Sequence, residues 1–228
     1  MRVGILQPGY LPWLGFFEQM LRVDLFIFYD DVQFEKGSWR NRNRIKGPNG
    51  PVWLTVPVLT KGHRTQLIKD LKINNRVRWQ TKHIKSIRQS YAKTRFFKDF
   101  FPAFSGIVER EDDSLLQLDL SLIQWVCDAL GIQTKTVLSS DLNVEGTGQQ
   151  RLIDIINSLG GDAFYEGTAG RDYIDTKKFK DAGIDVIYQD YKHPVYEQLY
   201  GGFISHLSVI DLLFNHGQEG QKILRNLK

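Results

Sequence analysis

Residues 3–15 read VGILQPGYLPWLG and indicate how the chain is built. The first four are apolar and predict a short buried strand. A turn rich in proline and glycine follows, and residues 16–21 then continue with a helical pattern. In open α/β folds, ligands bind where such a strand leads through a turn into a helix. Gln7, Tyr10 and Trp13 are therefore candidate substrate-binding residues, while a purely structural turn is the alternative.

The bulk composition is that of an ordinary soluble globular protein. The chain has 228 residues, 42% of them hydrophobic and 25% charged, which suits a single domain over residues 1–228. We expect no membrane span, since no apolar run is long enough, and no signal peptide. The single cysteine, Cys127, excludes an intrachain disulfide, so we expect a cytoplasmic protein. The oligomeric state is left open.

Positive charge is concentrated in two parts of the chain. The formal net charge is +4, and residues 36–46 and 61–98 are rich in lysine and arginine. This distribution favours an anionic partner such as a phosphate or a nucleotide. A solvated basic face is the alternative interpretation.

Apolar periodicity predicts strands that alternate with helices. The order predicts an α/β fold with a mostly parallel sheet, flanking helices and a helical insertion at about 76–130. Pro102 is expected to break or start a helix, and Gly131 to end one. The predicted strands are residues 3–6, 24–29, 52–58, 134–138, 163–165 and 186–188, and the predicted helices are residues 16–21, 76–101, 113–130, 147–159, 175–182 and 205–215.

Two carboxylates, Asp30 and Asp31, follow the apolar run of the second predicted strand. Both are candidate catalytic residues, one as a base or as a water-mediated Mg²⁺ ligand and the other as a turn cap. Alternation along a strand would direct them to opposite faces, which argues against a shared proton. A turn-forming role is equally compatible with either residue. Gln33, close behind them, is a candidate substrate-binding residue.

Residues 40–43 read RNRN. In an extended segment Arg40 and Arg42 share one face, and Asn41 and Asn43 share the other. Arginine forms planar, bidentate contacts with phosphate, and asparagine bonds hydroxyls or amides. These four residues are therefore predicted to bind a phosphorylated sugar or a nucleotide diphosphate, with a polar surface loop as the alternative.

Several of these blocks together resemble the WbqC-like protein family. The family is associated with bacterial surface-polysaccharide (O-antigen) gene clusters, so the resemblance implies sugar or sugar-nucleotide metabolism rather than a defined reaction. Gly9 stands where asparagine is as frequent, and Glu166 where serine is common. The resemblance is carried, in order along nearly the whole chain, by residues 7–15, 30–34, 39–43, 53–58, 139–142, 165–173 and 207–215.

The later blocks add further candidate residues. Small residues such as Gly167 and Gly170 let backbone N–H groups approach an anion, and Tyr173 lies beside them. His193 is the acid–base candidate because it lies in a loop. No histidine shows the spacing of a zinc site, so no metal site is predicted. A polar stripe at helical spacing, expected to face the cleft in view of the resemblance, consists of Ser208, Asp211 and Asn215.

Together these features predict an enzyme of O-antigen biosynthesis that acts on a small anionic or nucleotide-linked sugar, with an amino sugar as the other substrate candidate. A transferase and an amide-forming ligase both fit. The cofactor is open, with a nucleotide and Mg²⁺ as the candidate. The alternative is a non-catalytic nucleotide- or nucleic-acid-binding protein that stacks bases on aromatic side chains. Nucleic acid is the weaker alternative, because these aromatics lie in patterns typical of a core: Trp39, Trp53, Trp79 and Tyr91.

Overall fold

The computed structural model describes residues 1–60 and 65–225. The chain forms two compact units. The first unit comprises Met1–Gln7, Glu18–Asp31 and Gln133–Lys192, and the second comprises Pro8–Phe17, Val32–Ile132 and His193–Lys228. Each unit is therefore assembled from three separate segments, and the expectation of a single domain stays a prediction.

The strands and helices follow the predicted order, but a strand at residues 42–47 and a short helix at residues 220–224 are additional to it. The strands are β1 (Arg2–Leu6), β2 (Leu25–Phe28), β3 (Arg42–Gly47), β4 (Gly50–Thr55), β5 (Lys135–Leu138), β6 (Ala163–Glu166) and β7 (Asp185–Tyr188). The α-helices are α1 (Leu14–Leu21), α2 (Trp79–Tyr91), α3 (Phe97–Val108), α4 (Leu115–Leu130), α5 (Gly148–Ser158), α6 (Thr176–Asp181), α7 (Ile210–His216) and α8 (Gly220–Leu224).

The first unit contains a parallel sheet of five strands in the order β5-β2-β1-β6-β7. All four residues of β2 are buried, which explains their continuous apolar run. The core of this unit contains Val3 and Ile27 from the sheet and Ile153 and Phe179 from helices. The predicted α/β fold with a mostly parallel sheet is confirmed.

The second unit contains an antiparallel hairpin of β3 and β4, together with helices. The predicted strand at residues 52–58 is therefore partly correct: β4 covers residues 50–55, but it pairs with β3 and lies outside the five-stranded sheet. Residues 47–50 form the turn, as their glycine and proline content predicts.

The predicted helix at residues 76–101 is wrong in its continuity. Its α2 part ends at Tyr91, and the N–H and hydroxyl groups of Thr94 both donate to the Tyr91 carbonyl, at 2.9 and 2.7 Å. This turn separates α2 from α3. Pro102 lies inside α3 and neither breaks nor starts it.

The end of one predicted helix and the start of another can be compared with the structure. Gly131 follows α4 in a left-handed conformation, with φ of 62°, and confirms the predicted stop. The predicted helix at residues 205–215 begins only at Ile210. Among residues 1–60 and 65–225, no helix combines the length and apolar composition needed to cross a bilayer.

Candidate functional site

Asp30 lies just beyond β2 and is fully buried. Its Oδ1 accepts a hydrogen bond from the Ser140 N–H at 3.0 Å, and its Oδ2 accepts one from the Ser140 hydroxyl at 2.7 Å. The Asp30 N–H donates to Ser139 Oγ at 3.2 Å. These bonds join the carboxyl end of β2 to that of β5, and the catalytic role of Asp30 stays a prediction.

Asp31 is held by an ion pair with Arg151 and by the Ser139 hydroxyl, at 2.5 and 2.6 Å. Burial raises the pKa of Asp31, but the hydrogen bonds from Arg151 and Ser139 outweigh it and hold the pKa below its ordinary value. Asp30 Oδ1 also lies 3.0 Å from Ser139 Oγ, so both carboxylates face the same hydroxyl group. The expectation that they point apart is therefore wrong. β2 ends at Phe28, so strand alternation does not extend to these residues.

The ladder between β1 and β6 is the shortest in the parallel sheet. It pairs Arg2 with Ala163 and Val3 with Phe164, whereas each of the other neighbouring strands pairs over four residues. The hydrogen-bonded ladder between these two central strands is therefore short. The strand order also reverses here. The chain adds β2 and β5 on one side of β1, and then β6 and β7 on the other. Open α/β sheets bind ligands beyond the carboxyl ends of strands at such a point.

Four polar side chains of the first unit meet at these strand ends: Glu18, Gln19, Tyr165 and Gln189. We call them the reversal-point cluster. Gln189 Nε2 donates to Glu18 Oε2 at 2.7 Å, and Gln19 Nε2 donates to Gln189 Oε1 at 3.1 Å. The Tyr165 hydroxyl lies 3.3 Å from Glu18 Oε2, and burial, with the Glu18 charge, raises the pKa of Tyr165 to about 12. Glu18 Oε1 also accepts a hydrogen bond from Arg22 Nε at 2.7 Å, so the carboxylate at the centre of the cluster is ion-paired as well as bonded to neutral donors.

Gln19 is the exception within this cluster. It is 4% exposed, and its Oε1 has no hydrogen-bond partner among the described residues. A Cβ on Gly167 would lie 3.2 Å from Gln19 Nε2, so the absence of a side chain there leaves the amide room. Leaving a buried acceptor unpaired costs about 1–3 kcal/mol. A ligand or ordered water that donates to Gln19 would recover this free energy.

Glu166, the last residue of β6, is buried and accepts a hydrogen bond from the Tyr173 hydroxyl at 3.0 Å. Burial raises the pKa of Glu166 despite this bond. A Cβ on Gly170 would lie 2.2 Å from Glu166 Cγ, so this glycine makes room for the carboxylate. Tyr173 and Gly167 are nearby, and the expected anion contact at this loop stays a prediction.

The opening turn of the chain belongs to the second unit and is tightly packed. Tyr10 is fully buried, and its hydroxyl lies 2.9 Å from His83 Nδ1. Burial lowers the pKa of His83 to about 4, so a neutral imidazole shares a hydrogen bond with the tyrosine hydroxyl. A Cβ on Gly9 would lie only 2.8 Å from the Trp39 carbonyl oxygen, so a side chain at residue 9 would clash with the backbone.

Asp119 of α4 is fully buried, and neither carboxyl oxygen has a hydrogen-bond partner among the described residues. Burial raises its pKa well above the ordinary value, although the charge of Arg40 opposes this. Burial likewise lowers the pKa of Arg40, whose Nη1 donates to the Pro8 carbonyl at 3.3 Å. Asp119 and His83 could not be singled out from the sequence, because each is one of several polar residues on its helix and only the fold shows that it is buried.

The predicted alternation is seen for Asn41, Arg42 and Asn43, whereas Arg40 lies in a turn before β3. Asn41 and Asn43 are buried, and their Nδ2 atoms donate to the carbonyls of Val56 and Leu11 at 2.8 and 2.7 Å. Arg42 faces the other side, and its guanidinium carbon lies 3.7 Å from the centre of the Trp53 ring. The asparagines thus hold the backbone, and substrate contact by this segment stays a prediction.

The expectation that the aromatic residues all lie in the core is wrong for two of them. Trp79 and Tyr91 are buried, but Trp39 and Trp53 are 47% and 42% exposed. Trp53 lies on the outward side of a two-stranded hairpin, and a run of β pattern alone does not reveal whether that side is covered.

His193 and Trp13 lie together in the second unit. The Trp13 ring stacks on His206 and His193, with centroids 5.1 and 6.3 Å apart. His193 Nδ1 lies 2.9 Å from the Pro194 carbonyl, and burial lowers the pKa of the imidazole. A neutral His193 suits a general base, a role that stays a prediction.

The polar stripe of α7 faces the interior of its unit. Ser208 and Asp211 are fully buried, and Asn215 Nδ2 donates to the Asp211 carbonyl at 2.7 Å. The Asp211 carboxylate accepts hydrogen bonds from the hydroxyls of Tyr91 and Tyr196, at 2.8 and 3.0 Å, and from Gln198 Nε2 at 2.8 Å. Its oxygens are therefore already engaged within the protein, and a substrate contact by this stripe stays a prediction.

The remaining candidates are more dispersed. Gln33 is exposed and forms an isolated bridge with Leu67. Within the described ranges, no group of three or more His, Cys, Asp or Glu side chains could hold a metal ion. His63 lies outside the described residues.

The candidate residues divide between the two units. The first unit contains Gln7, Asp30, Asp31, Gly167, Gly170 and Tyr173, and the second contains Tyr10, Trp13, Gln33, Arg40, Asn41, Arg42, Asn43, His193, Ser208, Asp211 and Asn215.

Comparison with known proteins gives a match along most of the chain. The model of the WbqC-like protein family matches residues 7–223. An uncharacterized protein of Mycobacterium tuberculosis is 35% identical over 226 residues, which cover 98% of this chain and 97% of the relative. No solved structure gives a significant match.

Proposed function

Because the chain belongs to the WbqC-like protein family, we propose that it is an enzyme of bacterial surface-polysaccharide biosynthesis that acts on a nucleotide-linked sugar or an amino sugar. A transferase or an amide-forming ligase fits this role. We place the activity in the cytoplasm, where nucleotide-linked precursors would be accessible. The single, buried cysteine agrees with a reducing compartment.

The observation that carries this proposal is the reversal of strand order between β1 and β6, beside the reversal-point cluster. In open parallel sheets, nucleotides bind beyond the carboxyl ends of the strands, at the point where the strand order reverses. The unpaired Gln19 Oε1 and the cleared space at Gly167 supply an acceptor and a close backbone approach there. We propose that this part of the first unit binds the nucleotide portion of the substrate.

The predicted residues have defined roles in the proposal. In the first unit, Asp30 or Asp31 binds Mg²⁺ through water or accepts a proton. In the second unit, Arg40 and Arg42 are the candidates for binding an anionic group. The remaining predicted residues line the substrate surface of their own unit. Because Asp31 is ion-paired and its pKa is lowered, it suits an electrostatic role better than that of an acid.

Thermal unfolding in the presence of uridine and thymidine diphosphate sugars tests the proposal. A ligand that binds the native state raises the melting temperature. We expect stabilisation of the wild type, and a much smaller shift for Gln19→Leu, which removes the unpaired acceptor at similar volume. Gln150→Leu, an exposed change on α5, is the matched control and should respond like the wild type. Equal shifts for Gln19→Leu and the wild type would contradict the placement.

A further inference from the structure

We infer that the exposed face of the β3–β4 hairpin binds an acidic saccharide, whose ring packs on Trp39 and whose carboxylate is bound by Arg42 and Arg44. We call this face, formed by these three residues and Trp53, the Trp–Arg surface. The inference rests on the proposed function only for the ligand class, a saccharide. It concerns residues of the second unit alone.

Two indole rings form the apolar part of the surface. Trp39 and Trp53 lie with their centroids 5.2 Å apart and their planes tilted by 31°. Both are exposed, although large aromatic side chains are usually covered. The two rings pack against each other and form one aromatic pair at the surface.

Two guanidinium groups form the charged part. In the hairpin register Arg44 pairs with Trp53 and Arg42 pairs with Thr55, which places all of these side chains on one face. The Arg42 guanidinium carbon lies 3.7 Å from the Trp53 centroid, and that of Arg44 lies 5.7 Å from both rings. The Nε atoms of both arginines are buried without a hydrogen-bond partner among the described residues. Neither guanidinium is paired with an acidic side chain in that part of the chain.

This arrangement matches an acidic pyranose. The face of an indole ring is electrostatically negative, and the C–H groups on one side of a sugar ring present partial positive charge to it. The planar arginine fork binds a carboxylate through two parallel hydrogen bonds. Because the rings restrict the guanidinium groups before binding, little side-chain entropy remains to be lost.

A single nucleic acid strand fits the surface less well. Such a strand needs a series of cations for successive phosphates and free aromatic faces for its bases. Lys46, the next residue on this face, donates its ammonium group to the carbonyls of Gly201 and Gly202, at 2.7 and 2.6 Å. Arg42 already covers one face of Trp53. Only two cations and one largely open ring are therefore offered.

Titration calorimetry of the full chain with a short oligogalacturonate tests the inference. We expect binding by the wild type and weaker binding of the methyl-esterified oligosaccharide, which keeps the rings but lacks the charge. Trp39→Ala should weaken binding by about tenfold, as expected for a central aromatic contact. Arg42→Lys should also weaken it, because a lysine keeps the charge but loses the planar fork.

Arg95→Lys is the matched control, because Arg95 also lies over a ring, that of Phe96 at 4.9 Å, but not on this surface. It should bind like the wild type. Unchanged affinity in both Trp39→Ala and Arg42→Lys would overturn the inference. So would tighter binding of oligothymidylate than of the oligosaccharide, or a dimer that Trp39→Ala converts to a monomer in sedimentation equilibrium.

The two proposals can fail separately. Trp39→Ala should retain the thermal stabilisation by nucleotide sugars that Gln19→Leu loses. Loss of oligosaccharide binding with retained nucleotide-sugar stabilisation supports the Trp–Arg surface. If oligogalacturonate binds and no nucleotide sugar stabilises the chain, the surface is supported and the nucleotide-sugar proposal is wrong.

Discussion

The carboxyl group of Asp119 lies in the interior of the second unit, and no donor faces its oxygens among the described residues. Burial of an ionised carboxylate without hydrogen bonds is costly, so the pKa of Asp119 is raised well above its ordinary value. The charge of Arg40 offsets only part of this effect. There is thus a range of pH in which Asp119 is neutral in the folded protein and ionised in the unfolded chain.

This proton makes stability depend on pH in a defined direction. Above about pH 4 the unfolded carboxyl loses its proton while the folded one keeps it, so stability falls as pH rises, by about 1.4 kcal/mol per pH unit. Asp119→Asn should remove this contribution, and its free energy of unfolding relative to the wild type should rise with pH. Urea unfolding at several pH values measures the difference. Gln117→Ala, an exposed change on the same helix that removes no titratable group, should give a constant difference.

Asp31 should behave in the opposite way. Its pKa is lowered in the folded state, so its contribution to stability is present above the unfolded pKa and is lost as pH falls through the folded one. Asp31→Asn should cost about 2 kcal/mol at neutral pH, below the usual range for a fully buried pair because the site is partly solvated. The cost should shrink in acid. An equal cost at neutral and acidic pH would contradict the assignment. Thr147→Ala, an exposed change that removes no charged group and no side-chain cap bond, is the control.

At the scale of elements, the opening turn depends on a glycine that approaches another backbone segment. Gly9→Ala would place a Cβ 2.8 Å from the Trp39 carbonyl, so we expect a loss of about 1–3 kcal/mol. Gly106→Ala in α3 meets nothing within 4 Å and should stabilise the protein by about 0.5–1 kcal/mol. Chemical denaturation of both variants measures the contrast. A Gly9→Ala protein as stable as the wild type would show that the turn relaxes freely.

Elements with a strong local signal could be predicted from the sequence. The apolar runs of β1 and β2 indicate strands buried in a parallel sheet, and Gly131 marks the end of α4. The end of α2 could not be predicted, because residues 92–96 contain neither glycine nor proline and a hydroxyl–carbonyl bond closes the helix.

The candidate sites were predictable only in part, for a physical reason. The alternation of Arg42 and Asn43 follows from strand geometry and is seen in β3, but Arg40 lies outside the strand. The partners of Asp30 and Asp31, Ser139 and Arg151, come from more than 100 residues away, at separations of 108 to 120. Local pattern carries no information on such contacts.

At the scale of the whole molecule, the two proposed ligands should act on different units. When a nucleotide sugar is bound, amide hydrogen exchange should slow at the carboxyl ends of β1, β6 and β7, because binding there opposes local opening. Oligogalacturonate should slow exchange in β3 and β4 instead. Mass spectrometry of proteolytic fragments resolves the two patterns. Identical protection by both ligands would contradict two separate binding surfaces.

The central place of β1 in the sheet has a consequence for biosynthesis. β1 gains its first neighbour when β2 follows it, but its second neighbour begins only at Ala163. At roughly 5–20 residues per second, a ribosome leaves one edge of β1 without its native partner for about 8–30 s. An unpaired strand edge invites association with other chains. Nascent protein should therefore depend on chaperones more than its length suggests, and slowed translation should increase that dependence.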